Sequence, residues 1–305
     1  MTDLPRSIAQ IDIHHLGRPH VVASYLLEGG APVIVDPGPT SDLPNLERGL
    51  AGRGLGLGDL QALLLTHIHL DHAGAAGAIV ARYPHITVYV HERGAPHLID
   101  PSKLLASAQR IYGDQLDALY GAFLPVPQAN VAALRGGETL DLAGRDLDVL
   151  YTPGHASHHV SYIDTQTGAA FVGDTAGIRM PGFGYARPAT PPPDIDLERW
   201  RASIDAILAR DPALLLLTHF GAVGEPQRHF DALWANTQSW AETVRDSLAA
   251  GDDEQTAIAR LQIVAGAEIG DDASDAARAA YSYAAAVPMS WQGLARYWRK
   301  RPDAA

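Results

Sequence analysis

The sequence predicts an α/β fold in which helices pack on layers of β-sheet. Residues 61–90 follow a strand, helix, strand order, which is the rhythm of a βαβ unit. The segment Leu214–His219 (Leu-Leu-Leu-Leu-Thr-His) nearly repeats Ala62–His67 (Ala-Leu-Leu-Leu-Thr-His). We therefore expect two similar halves that face each other, each placing a histidine at the end of a buried strand.

The N-terminal third predicts a β-meander followed by α/β units. Ile11 and Ile13 alternate with polar neighbours, and Val21 to Leu27 and Pro32 to Val35 form two further strands. The last of these strands ends at Asp36, which either forms a turn before Pro37 or orients a metal-bound histidine. Residues 42–58 predict a helix, and residues 73–83 predict a second helix made of small residues.

Residues 91–130 differ from their surroundings and predict one or two helices inserted over the end of the sheet. A loop with three consecutive prolines follows later, at residues 182–193. Most polar or aromatic side chains in such segments pack against the fold or lie at the surface. The candidate substrate contacts are Arg110, Tyr112 and Tyr120 in the insert and Tyr185 in the loop.

Residues 231–305 predict a helical C-terminal extension to a main domain spanning residues 1–230. Four of the five tryptophans lie in this extension, so its helices must bury large side chains. They pack either on the main domain or on a second subunit. In the second case the protein would be a homodimer that associates through the C-terminal helices.

Charge and composition exclude several classes of function. The formal net charge is -12, which disfavours a nucleic acid or an anionic membrane as the main partner and leaves a small-molecule substrate. Cysteine is absent, so the chain has no thiolate ligand or cysteine nucleophile. Residues 1–10 contain no apolar core of a signal peptide, and no apolar run approaches 18 residues. We therefore expect a cytoplasmic protein with no membrane span.

Histidine and aspartate collect where predicted strands end. These residues directly follow the predicted strands that end near residues 65, 150, 172 and 217. Imidazole and carboxylate together suit zinc, manganese, iron or nickel, and such groups are costly to bury unless a metal or hydrogen bonds satisfy them. The candidate metal ligands are His67, His69, Asp71, His72, His155, Asp174 and His219.

This ordered set resembles the pattern of the metallo-β-lactamase superfamily, which is Thr-His-x-His-x-Asp-His followed by a distal histidine, an aspartate and a last histidine. The segments Thr152–His155 and Gly173-Asp174 look most like the glyoxalase II branch of hydrolases. The resemblance covers about residues 8–230 and implies a four-layer αββα sandwich. It implies a first metal on His67, His69 and His155. The second metal would take Asp71, His72 and His219, with Asp174 bridging.

The resemblance also implies a mechanism. Two divalent ions, with zinc preferred over iron or manganese, would hold a hydroxide that attacks an ester, thioester or lactone carbonyl. Asp71 would also orient this nucleophile, and Asp36 and His159 would support the ligands from behind. The alternatives are a phosphodiesterase and an iron-dependent persulfide dioxygenase, whose branch uses only two histidines and an aspartate on one iron.

Overall fold

Two six-stranded sheets form the centre of the computed structural model, which describes residues 3–270 and 273–301. The first sheet follows chain order, with β1 to β3 antiparallel and β3 to β6 parallel. Its strands are β1 (Ile8–Asp12), β2 (Ala23–Leu27), β3 (Val33–Val35), β4 (Ala62–Leu64), β5 (Thr87–His91) and β6 (Val131–Leu134).

The second sheet has the reversed spatial order β12-β11-β10-β9-β8-β7, and only its β10–β11 pair is parallel. Its strands are β7 (Thr139–Leu142), β8 (Arg145–Tyr151), β9 (Val160–Asp164), β10 (Ala169–Phe171), β11 (Leu214–Leu217) and β12 (Gly221–Val223).

Helices cover the outer face of each sheet, so the predicted four-layer αββα sandwich is confirmed. The helices on the side of the first sheet are α1 (Leu43–Ala51), α2 (Leu70–Ala73), α3 (Ala76–Arg82), α4 (Ala95–Ile99), α5 (Ser102–Tyr112) and α6 (Leu116–Tyr120). On the other side lie α7 (Leu197–Leu208), α8 (Pro226–Ala249), α9 (Glu254–Ile269), α10 (Asp275–Ala284) and α11 (Val287–Arg299).

The leucine runs are apolar throughout because both faces of their strands are buried. In β11, Leu214 and Leu216 point into the core between the sheets, whereas Leu215 and Leu217 pack under the outer helices. In β4, Leu64 likewise faces the other sheet and Leu63 faces the outer helices.

The two halves exchange equivalent hydrogen bonds at the ends of these runs. The Tyr25 hydroxyl donates to the Leu217 carbonyl (2.6 Å), and the Tyr162 hydroxyl donates to the Leu65 carbonyl (2.9 Å). Thr66 and Thr218, the next residues along the two runs, each accept a backbone N–H bond of 2.8 Å from the opposite sheet. The repeat in the sequence therefore corresponds to two facing halves that hold each other in register.

Some predicted elements are divided differently in the structure. The small-residue helix predicted over residues 73–83 is α3, which begins at Ala76, and the short helix α2 ends at Ala73. Gly74 lies between them, where a Cβ would clash with the Leu70 carbonyl oxygen. The insert contains three helices, α4 to α6, instead of one or two. The boundary predicted at residue 230 falls inside α8, which begins at Pro226.

The C-terminal extension packs on the second sheet of the same chain. Trp240 and Trp291 are buried in one core with α7 and the outer face of the second sheet. The Trp240 indole donates to Glu268 (2.8 Å), and the Trp298 indole donates to the Ala241 carbonyl (2.7 Å). The chain itself therefore covers these tryptophans, and the homodimer stays a prediction. Among the described residues, no helix is both long and apolar enough to cross a membrane.

His229 anchors α8 beneath the segment that carries Asp174. Its Nε2 donates to the Ala176 carbonyl (2.8 Å), and burial lowers its pKa from 6.5 to about 4. Between these two pH values His229 binds a proton in the unfolded chain but not in the folded chain. The free energy of unfolding should therefore fall as the pH drops from 6.5 towards about 4. The loss from this residue should reach roughly 3 kcal/mol.

Urea unfolding of the metal-free protein at about pH 7.5 and about pH 4.5 measures this loss. His229→Gln should reduce the pH dependence, whereas His85→Gln at an exposed position should leave it as in the wild type. An equal pH dependence in the wild type and His229→Gln would contradict this assignment.

Candidate metal centre

The seven predicted ligands meet at one edge of the two sheets. Thr66-His67 follows closely after β4 and Thr218-His219 follows directly after β11, so the repeated run delivers one histidine from each half. The other ligands come from the segment that enters α2, from the loop between β8 and β9, and from the turn after β10. Their donor atoms form two groups, and within each group these atoms lie within 4.8 Å of one another.

The first group consists of His67, His69, His155 and Asp174. His69 Nδ1 lies 2.8 Å from His67 Nε2 and 3.0 Å from His155 Nε2. His155 Nε2 lies 3.3 Å from Asp174 Oδ2. Three ring nitrogens and one carboxylate oxygen therefore point at a common centre.

The second group consists of Asp71, His72 and His219. Asp71 Oδ2 lies 3.3 Å from His219 Nε2. The other Asp174 oxygen, Oδ1, lies 3.3 Å from His72 Nε2 and 3.5 Å from His219 Nε2. Asp174 thus presents one oxygen to each group, which is the geometry of a bridging carboxylate.

The donor atoms fit bound metal ions. His72 Nε2, His219 Nε2 and Asp174 Oδ1 are buried and make no hydrogen bond. Leaving such atoms unpaired costs free energy, and a cation between them would satisfy all three. Imidazole and carboxylate donors are those that zinc, iron and manganese accept.

The charge states of the first group suit metal binding. Burial lowers the pKa of His67 well below its ordinary value and that of His69 to about 3, so both rings are neutral at pH 7. Burial alone would raise the pKa of Asp174, but the neighbouring His219 and His72 hold it well below its usual range. Neutral imidazole and ionised carboxylate are the forms that bind metals.

Backbone and carboxylate acceptors fix the orientation of three ligands. His155 Nδ1 donates to the Ala189 carbonyl (2.8 Å), and His219 Nδ1 donates to the Val21 carbonyl (2.7 Å). His72 Nδ1 lies 2.8 Å from Asp36 Oδ2. Each contact reserves Nε2 for the metal and sets the ring plane.

Asp36 connects the two halves at this site. Its carboxylate accepts hydrogen bonds from the Thr66 N–H (2.8 Å), the Thr66 hydroxyl (2.7 Å) and the Thr218 hydroxyl (2.9 Å). Asp36 is fully buried and has a left-handed backbone, with φ 50°. It therefore lies behind His72 and also ties together both Thr-His motifs.

His159 lies behind Asp174 and His67. Its Nε2 accepts the Asp174 N–H (3.2 Å), and its ring stacks on His67 with centroids 5.0 Å apart. Gly173 permits this approach, because a Cβ there would lie 2.6 Å from both His159 Nε2 and Thr66 Oγ1. The structure thus places His159 where it supports the turn that carries the bridging carboxylate.

A cavity of about 430 Å³ opens over the ligands. Asp71, whose side chain is 22% exposed, lies on its floor with Asp174 and His219. The insert and the C-terminal extension form its walls, and Tyr112 and Tyr120 are among the residues that line it.

The other two candidate substrate contacts do not line the cavity. The Arg110 side chain is exposed outside the cavity. Tyr185 is buried with Tyr281, and its hydroxyl donates to Glu268 Oε2 (3.1 Å). These two predictions are corrected, because helical spacing and composition did not reveal which way either side chain points.

Sequence reasoning also missed several cavity residues. His15, Arg93 and Lys103 line the cavity, but they belong to segments without hydrophobic periodicity or a ligand motif. Their contribution becomes visible only when the N-terminal loop and the insert are brought together in three dimensions.

Comparison with known proteins identifies the class of this fold and site. The family model of the metallo-beta-lactamase superfamily matches residues 17–219. The chain belongs to this superfamily.

Two of its relatives align with a little over half of the chain or more. A metallo-beta-lactamase fold-containing protein of Sulfurisphaera tokodaii is 31% identical over 170 residues, which is 55% of this chain and 63% of the relative. A hydroxyacylglutathione hydrolase of Aeromonas hydrophila is 32% identical over 206 residues, which is 65% of this chain and 63% of the relative. The matched region therefore spans just under two thirds of the length of each relative.

Solved structures agree on the fold. The crystal structure of the archaeal relative superposes with a TM-score of 0.66 at 23% identity and covers 95% of this chain and 99% of that chain. A protein crystallised in a di-iron-bound form has a TM-score of 0.53 at 27% identity and covers 70% of this chain and 93% of that chain.

Proposed function

We propose that this protein is a metal-dependent hydrolase that cleaves an ester, thioester or lactone bond in a small molecule. The observation that carries the proposal is the pair of ligand groups that share Asp174 on the floor of a cavity. The similarity to a hydroxyacylglutathione hydrolase supports hydrolysis of an acyl compound. Zinc is the preferred metal of this proposal, with iron and manganese as alternatives.

Two bound ions would supply a hydroxide at neutral pH and polarise the electrophile. The chain contributes the positions of the ligands and the shape of the cavity. His67, His69 and His155 would hold one ion, and Asp71, His72 and His219 the other. Asp174 would bridge the ions and offset part of their charge.

Asp71 has a second role in this proposal. It belongs to the second ligand group and also lines the cavity, so its carboxylate reaches the space where substrate and nucleophile meet. Neighbouring His72 and His219 outweigh burial and keep the pKa of Asp71 below its usual range. An ionised carboxylate here accepts a hydrogen bond from the attacking nucleophile and orients it.

A phosphodiesterase is the second candidate. Arg93 and Lys103 line the cavity. Among the described residues, no carboxylate lies within 4.0 Å of the charged group of either side chain. Cations of this kind attract a phosphate or a carboxylate. The substrate panel must therefore include phosphodiesters as well as acyl compounds.

Elemental analysis combined with a substrate panel tests the proposal. We expect about two transition-metal ions per chain and hydrolysis of at least one ester, thioester or lactone. Chelation should abolish this hydrolysis, and zinc, iron or manganese should restore it. Fewer than one ion per chain, or oxygen uptake with a persulfide in place of hydrolysis, would refute it.

A further inference from the structure

A buried histidine and aspartate form a pair outside the metal ligands. His15 Nδ1 lies 2.5 Å from Asp42 Oδ2, and both residues are only 5% exposed. With Nδ1 engaged by the carboxylate, Nε2 is the ring nitrogen left for the cavity that His15 lines. A carboxylate that orients a histidine in this way is a recurrent arrangement in acid–base catalysis.

Two connections link this pair to the second ligand group. The loop that carries His15 continues to Val21, whose carbonyl orients His219. The loop that carries Asp42 begins at Asp36, which contacts His72, and its Gly38 N–H donates to the His72 carbonyl (3.0 Å). The same two loops therefore position metal ligands and the His15–Asp42 pair.

The His15 loop has an unfavourable backbone. His14, Leu16 and His20 have positive φ angles of 51°, 54° and 64°, although none of them is glycine. Such angles are unfavourable for residues other than glycine and collect at functional sites. The His15 ring also stacks on Tyr120 at 5.9 Å, and this contact fixes the ring on its cavity side.

Tyr112 and Tyr120, which also line the cavity, are poor proton donors at neutral pH. Burial raises the pKa of Tyr112 to about 12 and also raises that of Tyr120, so both phenols retain their protons.

We propose that His15, oriented by Asp42, donates a proton from Nε2 to the leaving oxygen, and that the substrate is therefore an oxygen ester or a lactone. The inference rests on the proposed hydrolase function. An alcohol holds its proton far more tightly than a thiol, whose pKa is about 8.5. An alkoxide thus needs a proton as it leaves, and a thiolate does not.

Ester hydrolysis by this route returns His15 to its protonated form. Hydroxide forms a bond to the carbonyl carbon, and the carbonyl electron pair moves to its oxygen. When that pair returns, the carbon–oxygen bond to the alcohol breaks, and the leaving oxygen takes the proton from protonated His15. The carboxylic acid then gives its proton to His15, which restores the protonated ring and leaves a carboxylate and an alcohol.

Three substrates with one acyl group test this role: an alkyl ester, a p-nitrophenyl ester and a thioester. His15→Gln should lower kcat/KM for the alkyl ester about 10²-fold, while the other two substrates lose less than about threefold. Asp42→Asn should give the same pattern with a smaller loss. His14→Asn, in the same loop but exposed, should behave as the wild type.

A proton NMR spectrum provides a readout that does not depend on activity. The short bond between His15 and Asp42 should give a downfield Nδ1–H resonance that disappears in both variants and persists in His14→Asn. Equal losses for all three substrates in a folded, metal-loaded His15→Gln would overturn the proton-donor role. If the wild type hydrolyses none of the three substrates, the hydrolase proposal itself fails for acyl compounds.

Discussion

Asp174→Ala is expected to lower kcat/KM at least about 10³-fold and to reduce the metal content of the purified protein below one ion per chain. The two Asp174 oxygens face the two ligand groups, at 3.3 Å from His72 Nε2 and 3.3 Å from His155 Nε2. In the proposed two-metal site, removal of Asp174 would leave the Asp71 carboxylate as the one remaining acidic ligand to offset the charge of two dications. The repulsion between the ions should then expel at least one of them.

Elemental analysis of the variant and single-substrate kinetics measure this effect. Asp164→Ala is the matched control, since Asp164 is also a buried carboxylate but pairs with Arg145 (2.7 Å) within the second sheet. This control should lose stability, because it leaves a buried arginine unpaired, and should retain two ions per chain. Retention of both ions by Asp174→Ala would contradict the bridging assignment.

The sequence predicts the metal centre better than it predicts the substrate cavity, for a physical reason. Four of the seven ligands, from His67 to His72, lie within six residues, so local chain geometry alone brings them close. The rest follow strand ends, and neighbouring parallel strands end at a common edge. The repeated Thr-His motif also predicts that a second half delivers His219 to the same place.

Side-chain direction in the insert depends on tertiary packing. Tyr112 lines the cavity, but Arg110, two residues earlier on α5, is exposed. Residues two apart on a helix face different directions, so one of them can line a cavity while the other does not. The weak hydrophobic pattern of residues 91–130 does not fix how α5 is rotated, and the sequence therefore gives no basis for choosing between them.

The contact between His15 and Asp42 is a second feature that the sequence does not predict. They are 27 residues apart and belong to two separate 3₁₀ turns, so neither periodicity nor a spacing motif connects them. The repeat in the sequence does identify Thr66 and Thr218, but it does not show which group their hydroxyls contact. Their shared acceptor, Asp36, becomes apparent only when the two sheets face each other.

Asp36→Ala is expected to lower the free energy of unfolding of the metal-free protein by about 3–5 kcal/mol. The Asp36 carboxylate is fully buried and accepts the Thr66 hydroxyl, the Thr218 hydroxyl and a contact from His72 Nδ1. Alanine would leave these donors without their acceptor in a site that water does not reach. The cost of unpaired buried donors then adds to the loss of a link between the two halves.

The same variant should weaken metal binding about 10–100-fold, because His72 would lose the contact that sets its ring plane. Urea unfolding in the presence of a chelator isolates the stability effect, and a zinc titration of the folded protein measures the affinity. Thr218→Val is the graded comparison, since it removes one donor and keeps the carboxylate. It should cost only about 1 kcal/mol and leave zinc affinity within a few-fold of the wild type. If Asp36→Ala were no less stable than Thr218→Val, then Asp36 would not be the residue that holds the two Thr-His motifs together.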